Sequence, residues 1–116
     1  MMCAVAVRQI KPGSYEKFRV AWQHDPWLPR YERAFVMRNE DSPEHVLTMA
    51  FFPGTSEEYE AARDDPETMA AEARRLQRIA EWEARVLVSG VYEVVEEVLP
   101  PGAHAAPGGS TSSTTS

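Results

Sequence analysis

Apolar and β-branched residues crowd the run Cys3 to Ile10 (CAVAVRQI), and Pro12-Gly13-Ser14 separates it from the helical pattern Tyr15 to Trp22 (YEKFRVAW). A strand therefore passes into a helix. Two further strand patterns, Tyr31 to Asn39 (YERAFVMRN) and His45 to Phe52 (HVLTMAFF), flank the polar cluster Glu40 to Glu44, which predicts a hairpin with a five-residue loop. After Pro53-Gly54-Thr55-Ser56 comes a polar helical stretch at Glu57 to Arg63, and Asp64-Asp65-Pro66-Glu67 interrupts it, with Asp65 as the natural N-cap and Pro66 in the first turn of a longer helix. That helix carries Met69, Ala73, Leu76 and Ala80 at i, i+4, i+7 and i+11. Ile79, Glu83 and Val86 continue near the same stripe, while Arg74, Arg75, Arg78 and Glu81 fall mostly on the other side. The expected core face is therefore the Met69 stripe. Arg85 to Val88 (RVLV) fits either a last helical turn or a strand; the helix is preferred here, with Ser89-Gly90 as its stop. Val91 to Val98 (VYEVVEEV) then reads as the closing strand, ended by Pro100-Pro101.

The order β-α-β-β-α-β predicts an α+β fold of the ferredoxin-like kind, a four-stranded antiparallel sheet with helices on one face. Strand residues alternate in direction, so Cys3, Val5 and Val7 share one face, Ala4, Ala6 and Ile10 the other, and neither set is hydrophilic. Phe35 and Met37 against Ala34 and Val36, and Leu47, Met49 and Phe51 against Val46, Ala50 and Phe52, repeat the pattern. A lone subunit would leave one such face in water, so a homodimer through the sheets is expected.

Length and composition agree with one domain over residues 1–99: 116 residues, 43% hydrophobic, suffice for a small core. From Pro100 to Ser116 the chain turns to Pro, Gly, Ala, Ser and Thr, and a disordered tail is expected there. The net charge of −6 argues against a nucleic-acid partner, and the arginines at 74, 75 and 78 are interleaved with Glu72, Glu81 and Glu83. Cys3 is the sole cysteine, which excludes an intrachain disulfide and suits a small buried hydrophobe. No secretory segment and no apolar run near 18 residues is visible, so the expectation is a soluble, cytoplasmic protein with no membrane partner. Three scattered histidines without paired carboxylates give no metal site. GxSxG, GxxxxGK[ST] and GxGxxG motifs are all missing, which sets aside serine-hydrolase, P-loop and dinucleotide readings.

The strand CAVAVRQI leading into KPGSYEKF, the hairpin strand running into FFPGTSEEYEAAR, and the closing segment SGVYEVVEEV resemble the dimeric α+β-barrel proteins of the antibiotic biosynthesis monooxygenase type, over about residues 3–98. The resemblance implies two ferredoxin-like subunits joining their sheets into a barrel, each with a cavity between sheet and helices. It also implies, for some members, oxygenation of aromatic polyketides without metal or flavin. The haem-degrading branch of that family pairs an asparagine in the first strand with a tryptophan and a histidine on the second long helix. Here the first strand offers Val5, Val7 and Gln9, and the second helix Trp82 without a histidine, so no haem ligand is carried over and no cofactor is expected.

Chemistry concentrates in Trp22-Gln23-His24-Asp25-Pro26-Trp27, followed by Tyr31. Aromatic walls suit a flat ligand, and a histidine moves protons or holds an anionic oxygen. His24 is the candidate catalytic residue; Trp22, Trp27, Tyr31, Arg38 and Trp82 are candidate substrate-binding residues. The competing structural account has the tryptophans closing a core, Asp25-Pro26 making a turn and His24 capping helix carbonyls. Arg8 and Arg38 lie in strands otherwise rich in apolar residues, where they would bind a carboxylate or phenolate, or else pair with a glutamate. Tyr59 and Tyr92 are further cavity candidates, His45 is expected to be solvated, and His104 falls in the tail. The functional expectation is a cofactor-independent monooxygenase-like protein acting on a small aromatic or polyketide-like substrate. The alternative is a non-catalytic dimeric module that binds or senses a small hydrophobic ligand.

Overall fold

The computed structural model describes residues 1–102. Its elements run β1 (Met2–Ile10), α1 (Tyr15–Trp22), β2 (Arg33–Arg38), β3 (His45–Phe52), α2 (Ser56–Asp64), α3 (Pro66–Ala80) and β4 (Glu83–Glu93). The strands form one antiparallel sheet in the order β2-β3-β1-β4, with β1 in the middle paired to both β3 and β4. This is the expected ferredoxin-like arrangement, and local chemistry explains most of its boundaries. Asn39 turns the hairpin by accepting hydrogen bonds at Oδ1 from the backbone N–H groups of Asp41 and Ser42. Thr55 and Glu58 make a reciprocal capping box at the start of α2. Asp65 caps α3 as expected, its carboxylate accepting from the N–H groups of Glu67 and Thr68.

Two expectations fail at α3. The helix stops at Ala80, and the run Arg85 to Val88 belongs to β4, which pairs with β1 along its whole length. The ladder decides this: without β4, the second edge of β1 would hold buried backbone groups with no partners. Two irregularities, between Val7 and Arg8 and between Gln9 and Ile10, take up the slack in register. The strand also ends earlier than expected, at Glu93; beyond it Val94 N–H still donates to the Met1 carbonyl, while Val95 and Val98 are exposed. The second failure is the stripe. Thr68, Ala71, Arg75 and Ile79 are the buried face of α3, and Met69 and Leu76 are exposed. Small residues at 68 and 71 let the helix approach its neighbours, and the cation at 75 is buried because it has partners, described below.

The core between sheet and helices is built on Ile10, Phe18, Ala21, Trp22, Val46 and Ile79, with Trp82 and Trp27 packed at its margin. Among the described residues, no element covers the opposite sheet face. By register, Val5 and Val7 share that face with Met49, Leu47, Val88 and Gly90, and Phe35 and Met37 extend it. Met37, Phe35, Val88 and Tyr92 are exposed there, from 41% at Met37 to 53% at Tyr92, whereas Val5, Val7, Leu47, Met49 and Gly90 are half-buried. Cys3, flanked in register by Phe51 and Tyr92, is buried as expected, and burial raises its thiol pKa. No helix among the described residues is long and apolar enough to cross a membrane. The tail expected from Pro100 onward lies, apart from its first three residues, outside the described residues, as does His104.

Candidate functional site

Between the sheet and the helices lies a cavity of about 250 Å³, walled by Arg8, Trp22, His24, Tyr31, Tyr59 and Arg75, with Thr48 and Glu72 also in its lining. Leu76 and Val91 line it and are exposed, so its mouth lies between α3 and β4.

Sequence brings these groups together from six elements and the loop after α1. Helix α1 ends at Trp22, and the loop after it is tied down by α3: Arg75 Nη1 donates to the Trp22 carbonyl (3.2 Å) and Arg78 Nη2 to the Gln23 carbonyl (3.0 Å). These are carbonyls that a helix C-terminus leaves without intrahelical partners. Arg75 also donates through Nε and Nη2 to both carboxylate oxygens of Glu72 (3.0 and 2.8 Å), a bidentate pair one turn back on the same helix. From β1, Arg8 donates Nε to Glu83 (2.9 Å) and Nη1 to Thr48 Oγ1 (3.4 Å).

The fixed loop turns His24 inward. Its ring meets Trp22 (centroids 5.1 Å), Trp27 (4.8 Å) and Tyr31 (5.5 Å) edge-on, and Trp27 Nε1 donates to the Tyr31 carbonyl (2.8 Å). The Tyr31 and Tyr59 hydroxyls share a hydrogen bond of 3.1 Å. His24 is 8% exposed, and its Nδ1 is buried without a hydrogen-bond partner. Burial first, then the Arg75 and Arg78 guanidiniums, push the imidazole pKa down to about 3. Burial also holds the Tyr31 phenol well above its ordinary value, with the Tyr59 hydrogen bond adding to the effect, so it stays protonated. Arg8 is lowered by burial, against the opposing pull of Glu83. The site therefore holds a neutral imidazole between aromatic rings, with two guanidiniums each matched by a carboxylate.

An unfolded histidine takes up its proton near pH 6.5, whereas the folded one refuses it down to about 3, so acidification favours the unfolded chain over that window. Wild type should lose about 2 kcal/mol more stability than His24→Phe between about pH 7 and pH 5 in urea titrations. Parallel pH profiles would show that the imidazole titrates normally.

Of the residues proposed from sequence, Trp22, His24 and Tyr31 meet in the cavity, and Trp27 stands behind His24. Arg38 and Trp82 do not join them. Arg38 lies over the Tyr15 ring (4.7 Å) beside a separate hollow at the start of α1. Trp82 packs on the core with the Lys17 ammonium 4.9 Å from its ring centroid. Both face away because the β2 edge and the α3 to β4 turn lie at the far end of the sheet from the cavity mouth. Arg75 was missed: on the side of the helix away from the expected apolar stripe, an arginine reads as solvated until Glu72 and the α1 carbonyls are in place. Among the described residues, no group of three His, Cys, Asp or Glu side chains is placed to hold a metal ion.

No protein-family model matches this sequence, and comparison with curated proteins finds no match. Solved structures do. The fold is that of antibiotic biosynthesis monooxygenase proteins. SnoaB, a cofactor-independent oxygenase from Streptomyces nogalater, superposes with a TM-score of 0.63 at 13% identity, covering 85% of this chain and 96% of its own. A candidate antibiotic biosynthesis monooxygenase from Nitrosomonas europaea gives 0.59 at 16% identity, covering 83% and 100%. At such identities the likeness is one of fold.

Proposed function

We propose that the protein is a cofactor-independent monooxygenase acting on a small aromatic or polyketide-like substrate in the cavity between sheet and helices, working as a homodimer. The observation that carries this reading is the buried His24 imidazole in the wall of an aromatic-lined cavity, in a fold shared with such an oxygenase. An electron-rich phenol bound there loses its hydroxyl proton, and the resulting carbanion adds dioxygen to form a hydroperoxide. Loss of water from the hydroperoxide leaves a carbonyl, one oxygen atom in the product and one in water, with the substrate carbon supplying the electrons. The positive potential of Arg75 and Arg78 that disfavours an imidazolium favours the phenolate instead. His24 serves as the hydrogen-bonding group that receives or relays the proton, and Trp22, Trp27 and Tyr31 exclude water.

Oxygen uptake with a dihydroxynaphthalene, after treatment with chelator, tests this. One dioxygen consumed per hydroxyquinone formed, without hydrogen peroxide, is the expected result; no uptake above the protein-free rate contradicts it. A specific feature favours the second reading, a module that binds its ligand without converting it. An imidazole with a pKa near 3 is a weak base, and both cavity arginines are already matched by carboxylates. Saturable binding without product would select that reading.

The dimer rests on the uncovered apolar sheet face, which a second copy would bury. Sedimentation equilibrium is expected to give twice the 13.0 kDa chain mass; a stable monomer at micromolar concentration contradicts it.

A further inference from the structure

In both ion pairs of the cavity wall the guanidinium is the inner member. The Arg8 side chain is 7% exposed against 22% for Glu83, and Arg75 is 9% exposed against 40% for Glu72. The carboxylates therefore lean toward water, which screens them, and the cationic heads line the cavity. Each of the three Arg75 nitrogens has a partner, on Glu72 or on the Trp22 carbonyl. Arg8 differs: Nε donates to Glu83 and Nη1 makes a long bond to Thr48, but Nη2 has no partner among the described residues. Nor is Nη2 sealed, since the unpartnered side-chain atom closed to water is His24 Nδ1 alone among them. Thr48 Oγ1 accepts from Arg8, and its own proton has no acceptor among the described residues, so two donors stand side by side in the wall. Burial first, and then the charge of Arg75, hold the Arg8 pKa down against the pull of Glu83. A cation so placed gains from a second anion.

Sequence places this pair at one end of a floor of small residues. Strand alternation puts Ala4, Ala6 and Arg8 on the helix-facing side of β1, and the register sets Ala50 opposite Ala4, with Thr48 and Ser89 on either side of Ala6. Side chains this short do not reach the helices, which leaves the cavity. Val91, at its mouth, pairs with Ala4, and Arg8 lies four residues further along β1, or about 13 Å at the rise of a strand. A ligand entering at the mouth meets Arg8 with its far end. A neutral hydroxyl there gains an ordinary hydrogen bond, whereas a carboxylate gains charge-assisted ones about twice as strong. A cation would face Arg8 and Arg75. Size narrows the choice further: about 250 Å³ falls below the roughly 300–1,000 Å³ typical of sites for drug-sized ligands, and Trp22 and Tyr31 make part of the wall aromatic. We infer that the cavity takes an aromatic carboxylate of one or two rings, its carboxylate held by Arg8 Nη2 and the Thr48 hydroxyl and its rings lying over the alanine floor toward the mouth. This rests on the cavity being the ligand site of the proposed function, and it adds the ligand's charge, size and anchor.

Isothermal titration of the full chain with naphthoate, the matched naphthamide and the matched naphthol tests it. Naphthoate should bind about tenfold or more tighter than either neutral analogue, the worth of one hydrogen bond to a charged group. Arg8→Met should bring naphthoate down to the affinity of naphthamide and leave the latter unchanged. Should that variant fold poorly, Arg8→Met combined with Glu83→Leu, which removes both charges of the pair, must show the same loss. Naphthamide or naphthol binding as tightly as naphthoate, a carboxylate preference that survives in either variant, or no binding by any of the three overturns the inference. The expected preference, with no oxygen uptake on any hydroxylated naphthalene, carboxylated or not, overturns the oxygenase reading and leaves this inference standing. Oxygen uptake with a dihydroxynaphthalene, and no preference for naphthoate in binding, does the reverse.

Discussion

Glu83→Ala should destabilise the protein by about 3 kcal/mol or more, although Glu83 itself is only partly buried. The reason is its partner: the Arg8 side chain is 7% exposed, and its Nε spends its hydrogen bond on Glu83. Removing the carboxylate leaves a buried guanidinium with only the longer bond to Thr48 as a side-chain partner, and breaking a buried pair from one side costs about 3–5 kcal/mol. In a domain of this size that corresponds to a fall in Tm of about 10 °C or more. Arg8→Met should be milder, because Glu83 can turn toward water and the methionine stem fills much of the same space. The double variant Arg8→Met with Glu83→Leu should recover most of the loss, since two apolar groups leave no charge behind. Urea denaturation of the three variants decides the matter: a Glu83→Ala protein within about 0.5 kcal/mol of wild type would mean that Arg8 finds other partners.

His24→Ala is expected to reduce oxygen uptake by about 10²–10⁴, the range that a positioned proton-transfer group supplies. His24→Gln, which keeps a hydrogen-bonding head without a titratable nitrogen, should retain part of the activity. The pH dependence separates this role from a structural one. With the imidazole pKa near 3, the wild-type rate should show no histidine inflection between about pH 5 and pH 8, and should rise only as the substrate's own hydroxyl ionises. Full activity in His24→Ala would remove the residue from the mechanism, and a break near pH 6.5 would mean that the cavity does not hold the ring neutral.

Where a boundary depends on a few neighbouring residues, the sequence is a sufficient guide. Asp65 before Pro66, the polar cluster Glu40 to Glu44 and the breaker after Ile10 each act within a few positions of themselves. The end of α3 is different, because Arg85 to Val88 suits a helical turn or a strand equally well, and the choice belongs to the unpaired edge of β1 some 75 residues earlier in the chain. Arg75 fails for the same reason. Its burial depends on the Trp22 carbonyl 53 residues away, which no helical period discloses. The candidate site was half legible: the Trp22 to Tyr31 cluster is dense enough in aromatic and titratable groups to stand out. Arg38 and Trp82 share that composition but fold to other places. A residue type names the chemistry it is capable of, and only the topology brings two such residues to one cavity.

A crystal structure of the protein with a dihydroxynaphthalene bound under anaerobic conditions tests most directly whether this cavity is where the protein works. The ring is expected against Trp22 and Tyr31, with one hydroxyl at hydrogen-bond distance from the His24 imidazole. A ligand seated elsewhere, or a cavity filled by the protein's own side chains, would contradict the account.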